Sequence, residues 1–241
     1  MQRALILAVL AGAAGAANAA VVAYWAFPGT VPGSGSNYII GWPIAADLKA
    51  NTGPATLDTD ANKYDGSSAP TAVQQGAMQL LTGDVLNAVS PFTAGSGLGM
   101  RNLNITGGQQ NLTEGKSIIL TFDASNYQNM VLSFAERYSA TGPTTVSVSV
   151  SSDGVNYTSA GSFATNRNST FSVRSVDLSS FTSINNDSQI FAKITVTGYN
   201  TGSNGAARFD NIKVDGTLIP TPGALALAGA AGLMVARRRR K

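Results

Sequence analysis

The chain has 241 residues, with no cysteine and no histidine. That excludes disulfide staples, thiol nucleophiles, imidazole bases and every metal site built on sulfur or imidazole ligands. The net charge of +3 belongs to the ends: of 16 basic residues, Arg3 lies in the leader and five are the last five residues, so ten stand against all 13 acidic residues and the body carries −3. No stretch interleaves basic and aromatic side chains, which sets nucleic acid aside as a partner.

Met1-Gln2-Arg3 opens with one positive charge, and residues 4–16 are an unbroken run of Ala, Leu, Ile, Val and Gly. The run is shorter and less apolar than the roughly 20 residues a spanning helix needs. Ala17 and Ala19 put small side chains at the two positions a signal peptidase reads. Residues 1–19 therefore read as a helical secretory signal, cut after Ala19.

In residues 21–27, Val22, Tyr24 and Ala26 alternate with Ala23, Trp25 and Phe27, as in a first strand. Pro28-Gly29 and Pro32-Gly33 end it. Residues 34–67 are small and polar, with Trp42 and Ile44 expected to tuck onto the core. Asp58, Asp60 and Asp65, with Asn62 and Gly66, offer oxygen ligands, but their spacing fits no calcium loop, so the stretch reads as a solvated polar loop. Val73, Ala77, Leu80 and Leu81 share a helical face, which predicts a short helix within 69–89. Residues 92–100 read as a Gly/Ser-rich loop.

From there the pattern is β. Alternating or apolar strands are expected at 100–106, 117–122 and 129–138. At 146–151 Val146, Val148 and Val150 alternate with Ser147, Ser149 and Ser151. Ser152-Asp153-Gly154 is a turn in which glycine takes a positive φ, with the return over 155–158. Three more strands follow at 171–178, 189–199 and 207–214. Short strands at regular spacing, joined by Gly/Asn/Ser turns, predict an all-β antiparallel two-sheet β-sandwich or jelly roll. With no internal repeat and no long linker, residues 20–218 form one domain, and 219–241 are a separate tail.

That tail reads Ile219-Pro220-Thr221-Pro222-Gly223, then an apolar run over 224–236, then Arg237, Arg238, Arg239, Arg240 and Lys241. It resembles the PEP-CTERM sorting signal of exported bacterial proteins, in which a Pro-Glu-Pro motif precedes a hydrophobic helix and an Arg-rich end. Thr221 stands where that family has Glu. The resemblance implies processing by an exosortase-type enzyme after signal peptidase, a transient hold in the inner membrane, and a final place in the cell envelope, at the surface or outside. As a helix the apolar run is about 20 Å long, short of the ~30 Å hydrocarbon core. Its terminal charges stay cytoplasmic under the positive-inside rule.

The body resembles LamG-like and other carbohydrate-binding jelly rolls. The residues that carry this are Val-Ala-Tyr-Trp-Ala-Phe at 22–27, Ser-Ser-Asp-Gly-Val-Asn-Tyr at 151–157 and Arg-Phe-Asp-Asn-Ile-Lys-Val-Asp-Gly at 208–216. The resemblance implies extracellular polysaccharide as a partner and a structural calcium ion as a candidate cofactor, for which Asp123 and Asp210 are the candidate ligands. Sugar sites stack rings on aromatic faces, and Tyr127, Tyr138, Tyr157 and Tyr199, near expected turns, are the candidates. For each of them the favoured reading is a cap on the edge of the core, its hydroxyl in water.

Catalysis is not expected. Glycoside hydrolysis needs two carboxyl groups across a cleft, and the only glutamates, Glu114 and Glu136, are not placed together by any motif. No Ser-x-x-Lys pair replaces the missing histidine. Asn104, Asn111, Asn156 and Asn168 lie in Asn-x-Ser/Thr sequons of a chain rich in those residues. Two readings stand: a non-enzymatic structural or adhesive surface protein, or a carbohydrate-binding module or glycan-active enzyme.

Overall fold

The computed structural model describes residues 19–27, 42–61, 77–93, 95–102, 113–200 and 204–220. They form two antiparallel sheets packed face to face, with one 3-10 turn at Thr182–Ile184. One sheet has the order β11 (Ser172–Asp177), β8 (Tyr127–Tyr138), β13 (Gly205–Leu218), β1 (Ala19–Trp25), β3 (Leu48–Lys49), and β13 also pairs with β6 (Ser96–Asn102), which pairs with β5 (Met78–Thr82). The other has the order β10 (Thr158–Ala164), β9 (Thr145–Ser151), β12 (Ile190–Thr197), β7 (Ser117–Phe122), β4 (Ala55–Thr59), β2 (Ile44–Ala45). The expected all-β sandwich is the observed architecture.

The core follows from alternation. Ile190, Ala192, Ile194 and Val196 of β12 are buried, and the residues between them are only half-buried. Val146, Val148 and Val150 of β9 and Ile118, Leu120 and Phe122 of β7 extend the same layer. Facing them are Met130, Leu132 and Phe134 of β8, Phe209 and Val214 of β13, and Trp25 of β1. Phe209 sits edge-on to Phe134 at 5.6 Å and to Tyr138 at 6.2 Å. Each large apolar side chain buried here contributes about 1.5–3 kcal/mol relative to exposure. Trp42 and Ile44 pack against this core as expected.

β13 is the axis of the seven-stranded sheet. β8 runs along one edge. On the other edge Gly205–Phe209 pair with β6, and Ile212–Thr217 pair with β1. The register with β8 breaks between Asp210 and Lys213, where the partner on the far edge changes.

Three expectations are corrected. Met78–Thr82 is a strand, not part of a helix; residues 69–76 of that segment lie outside the described residues. Leu80 and Leu81 share a helical face as readily as they split between two strand faces, and pairing with β6 decides for the strand. Ser96–Asn102 is a strand, not a loop. Its glycines serve close packing: Leu81 lies across Gly99, and a Cβ at Gly97 would stand 3.1 Å from the Phe209 carbonyl oxygen. Finally, the polar stretch over 34–67 contains β2, β3 and β4; Leu57 is fully buried and Asp58 lies on a strand, while Asp65 is outside the described residues.

Ala19, the first described residue, pairs with Thr217, so the two ends of the described chain lie side by side. Ala19, the last residue of the expected helical leader, is thus the first residue of β1; residues 1–18, Ala17 among them, and Thr221, Pro222, Gly223 and Arg237, Arg238, Arg239 and Arg240 of the tail lie outside the described residues, of which Pro220 is the last. Among the described residues no helix is long and apolar enough to cross a membrane.

Candidate functional site

The sandwich has two outer faces, and they differ. On the seven-stranded sheet, outward Tyr24 and Ser133 are buried beneath the segment 83–93. A polar clamp at the β13 switch holds that segment. Asp210 accepts the Asp84 N–H at 2.7 Å and the Asn211 N–H at 2.8 Å. Asn211, in the left-handed region (φ 48°) that Asn tolerates, donates through Nδ2 to the carbonyls of Asp84 and Leu86. The Tyr24 hydroxyl donates to Asn211 Oδ1 and accepts the Val89 N–H. Asn87 donates to the Asn211 carbonyl and to Ser133 Oγ, and Phe92 tilts onto the Tyr24 ring at 5.3 Å. Burial pushes the Asp210 carboxyl up to about 7, against its two backbone N–H donors and helped by the charge of Asp84.

The outer face of the six-stranded sheet is open and rich in hydroxyls. The register aligns Ser147, Thr195 and Ser117 in one row, where the Thr195 and Ser117 hydroxyls share a hydrogen bond of 2.8 Å. The next row is Ser149, Lys193, Ile119 and Asp58, and the one after is Ser151, Phe191, Thr121 and Thr56. Apart from the buried Ser117 and Ser151, every side chain in these rows is half-buried.

The turn after β9 closes one side of this face. Asp153 accepts from Asn156 through its side-chain and backbone N–H groups, from the Ser151 hydroxyl and from the Val155 N–H, and these bonds hold its carboxyl well below the usual range. Gly154 has φ 73°, as the sequence predicts, and a Cβ there would come within 3.1 Å of the Phe191 ring. The turn delivers Tyr157 beneath Lys193, whose Nζ stands 4.0 Å from the ring centroid. Burial raises the Tyr157 hydroxyl pKa, with Asp153 and Asp60 adding to it. An aromatic ring, a phenyl ring, a cation and rows of hydroxyls, all half-buried or buried, thus lie together on the outer face of one sheet.

The other candidate tyrosines are placed differently. Tyr138 is 1% exposed and donates to Glu136 at 2.8 Å; Tyr199 is 6% exposed and donates to the Met100 carbonyl at 3.0 Å; Tyr127 is 7% exposed against Gly216. None of these three presents a ring face to solvent, since their aromatic bodies complete the core. Of the four, only Tyr157 lies on the open face. Phe191 and Lys193 were missed because each reads as an ordinary member of an alternating strand.

Asp123 and Asp210 are not brought together. Asp123 accepts from Ser125 N and packs against Asn51 and Gly53, while Asp210 lies within the clamp, with no partner in common. Each oxygen of Asp210 accepts one N–H donor, and the two aspartates do not converge on one shared calcium site. No group of three or more potential metal-ligating side chains occurs among the described residues. Glu114 accepts from the N–H groups of Gly198 and Tyr199, and Glu136 is buried against Arg174 and Tyr138. Asn156 is engaged by Asp153 and Asn168 by Thr170 N; Asn104 and Asn111 are outside the described residues.

The chain matches no protein-family model and no curated protein. Among solved structures it is similar to a cleaved adhesin domain of Lys-gingipain from Porphyromonas gingivalis, at 12% identity, over 66% of this chain and 89% of that one, with a TM-score of 0.40. It is similar to the carbohydrate-binding module TmCBM61, solved with β-1,4-galactotriose, at 10% identity, over 66% and 86%, with a TM-score of 0.39. A module specific for non-crystalline cellulose matches at 11% identity, over 63% and 85%, with a TM-score of 0.34. At such identities and scores none of these carries function to this chain.

Proposed function

We infer that this chain is an exported, non-catalytic surface protein that adheres to extracellular polysaccharide through the outer face of its six-stranded sheet. The observation that carries the reading is the asymmetry of the two faces: one is covered by the 83–93 clamp over Tyr24 and Ser133, while the other holds Tyr157, Lys193 and Phe191 among rows of Ser and Thr. Such a face suits weak contacts with neutral sugars, a ring stacking on an aromatic while hydroxyls exchange hydrogen bonds. Weak contacts hold firmly when many copies act together. The two glutamates already occupied by internal partners support a binding role over hydrolysis. Export and sorting rest on the leader and the 219–241 tail.

The full chain, titrated against a panel of neutral polysaccharides, is expected to bind at least one saturably. Replacing both Tyr157 and Phe191 by alanine should lower that affinity at least tenfold. Hydrolysis of any glycan, or binding indifferent to both substitutions, would overturn the reading. For sorting, the intact mass of protein recovered from the cell surface is expected to end near Pro220; a species still carrying Arg237 to Lys241 would contradict it.

A further inference from the structure

Of the five arginines in the body, three stand together on the outer face of the seven-stranded sheet, beyond the 83–93 clamp. Arg208 of β13 is the direct cross-strand partner of Arg137 of β8. Arg101 of β6 is paired with Ala206, two residues from Arg208 and on the same face. Directly opposed residues stand about 5 Å apart, so the row crosses three adjacent strands over about 10 Å. Like charges so placed repel, and a sheet ordinarily avoids such pairs.

Among the described residues the row has no ion-paired counter-charge. The two ion pairs formed among the described residues, Arg174 with Glu136 and Lys213 with Asp215, involve none of the three. Glu136 is buried with Arg174, and Asp210, on the same face as Arg208, is committed to the N–H groups of Asp84 and Asn211. Burial, then the charges of Arg137 and Arg101, hold the Arg208 guanidinium below its usual pKa. The side chains are nonetheless held in place. Arg101 donates to Gln79 Oε1 at 2.7 Å, Arg208 donates to the Thr82 carbonyl at 3.4 Å, and Arg137 lies over the Phe171 ring at 5.8 Å. Each guanidinium has five N–H donors, so most of each fork remains available to an oxyanion.

We propose that the Arg101–Arg208–Arg137 row is a second binding site, which takes the carboxylate or sulfate groups of an acidic polysaccharide. The three positions are spread over three adjacent strands, which suits successive anionic groups along a chain better than one free ion. Phe171, beside the row, offers an apolar surface to the sugar rings between those groups. No stretch of the chain interleaves basic and aromatic side chains as a nucleic-acid surface does, which favours an acidic polysaccharide as the occupant. This site is independent of the Tyr157 face.

The test measures retention of the full chain by polygalacturonate, dextran sulfate, uncharged dextran and a single-stranded oligonucleotide at low and raised salt. Retention by at least one acidic polysaccharide is expected, with none by dextran; the first two probes distinguish carboxylate from sulfate. Replacing Arg101, Arg137 and Arg208 together by glutamine should weaken retention at least tenfold and flatten its salt dependence. Arg137→Gln alone, at the position held only by its ring contact, should cost about threefold and keeps the test open if the triple variant does not fold. Glutamine at Arg237 to Arg240 separates the tail's contribution. The proposal falls if the tail variant accounts for all the loss, if the oligonucleotide binds as well as the polysaccharides, or if no acidic polysaccharide is retained. Replacing Tyr157 and Phe191 should leave retention unchanged, so failure of the neutral-glycan reading is distinguishable from failure of this one.

Discussion

Asp210 is a buried carboxyl whose value lies in the two N–H groups it satisfies. Asparagine offers one oxygen where the aspartate offers two, so Asp210→Asn should strand a buried donor and cost about 1–3 kcal/mol in urea unfolding at neutral pH. The same residue gives stability a pH dependence. An unfolded aspartate titrates near about 3.9, and the folded one is raised to about 7. The folded chain therefore holds that proton more tightly, and the associated stability is complete below about pH 4 and is lost as pH rises through about 7. The melting temperature of the wild type should fall between pH 5 and pH 8 through this group, and the Asp210→Asn variant should show a flatter profile. Glu136 and Arg174 form the other costly residue pair, with the glutamate side chain 2% and the arginine 25% exposed. Arg174→Met leaves the glutamate charge buried and should destabilise by about 3 kcal/mol. Adding Glu136→Gln should recover part of that loss, as a double-mutant cycle would show.

At the scale of elements, the segment 83–93 turns one face of the sandwich into interior. Its close approach depends on Gly83, where a Cβ would fall on the Asp210 carboxylate and within 2.9 Å of the Ser96 backbone. Gly83→Ala should cost about 1–3 kcal/mol, and faster hydrogen exchange at the Asp84 and Val89 amides would show that the clamp has loosened. Chelation is expected to leave the melting temperature unchanged, since the Asp123 and Asp210 carboxylates are held by protein donors. The long strands were legible because each alternates over a half-buried sheet; Ser117–Phe122 falls where its pattern places it. β4 and β6 were not. Ala-Thr-Leu-Asp-Thr offers one large apolar residue, and Ser-Gly-Leu-Gly-Met uses glycine where a loop also would. Both become strands because long neighbours, β7 and β13, satisfy their backbone groups.

For the whole molecule, the pairing of β1 with β13 joins residues nearly 200 positions apart, Ala19 with Thr217 and Trp25 with Ile212. Such long-range closure makes folding slow relative to local hairpins. Through its local periodicity, the sequence by itself determined the all-β class, the inward valines, isoleucines and phenylalanines, and the Ser-Asp-Gly turn. Period-two alternation and turn chemistry act over a few residues and survive in a linear string. Only the tertiary structure decided which outer face stays open, that three of the four candidate tyrosines belong to the core, and that Arg101, Arg137 and Arg208 stand side by side. Those outcomes depend on strand order and register, which bring together residues from β6, β8 and β13 that local spacing cannot relate.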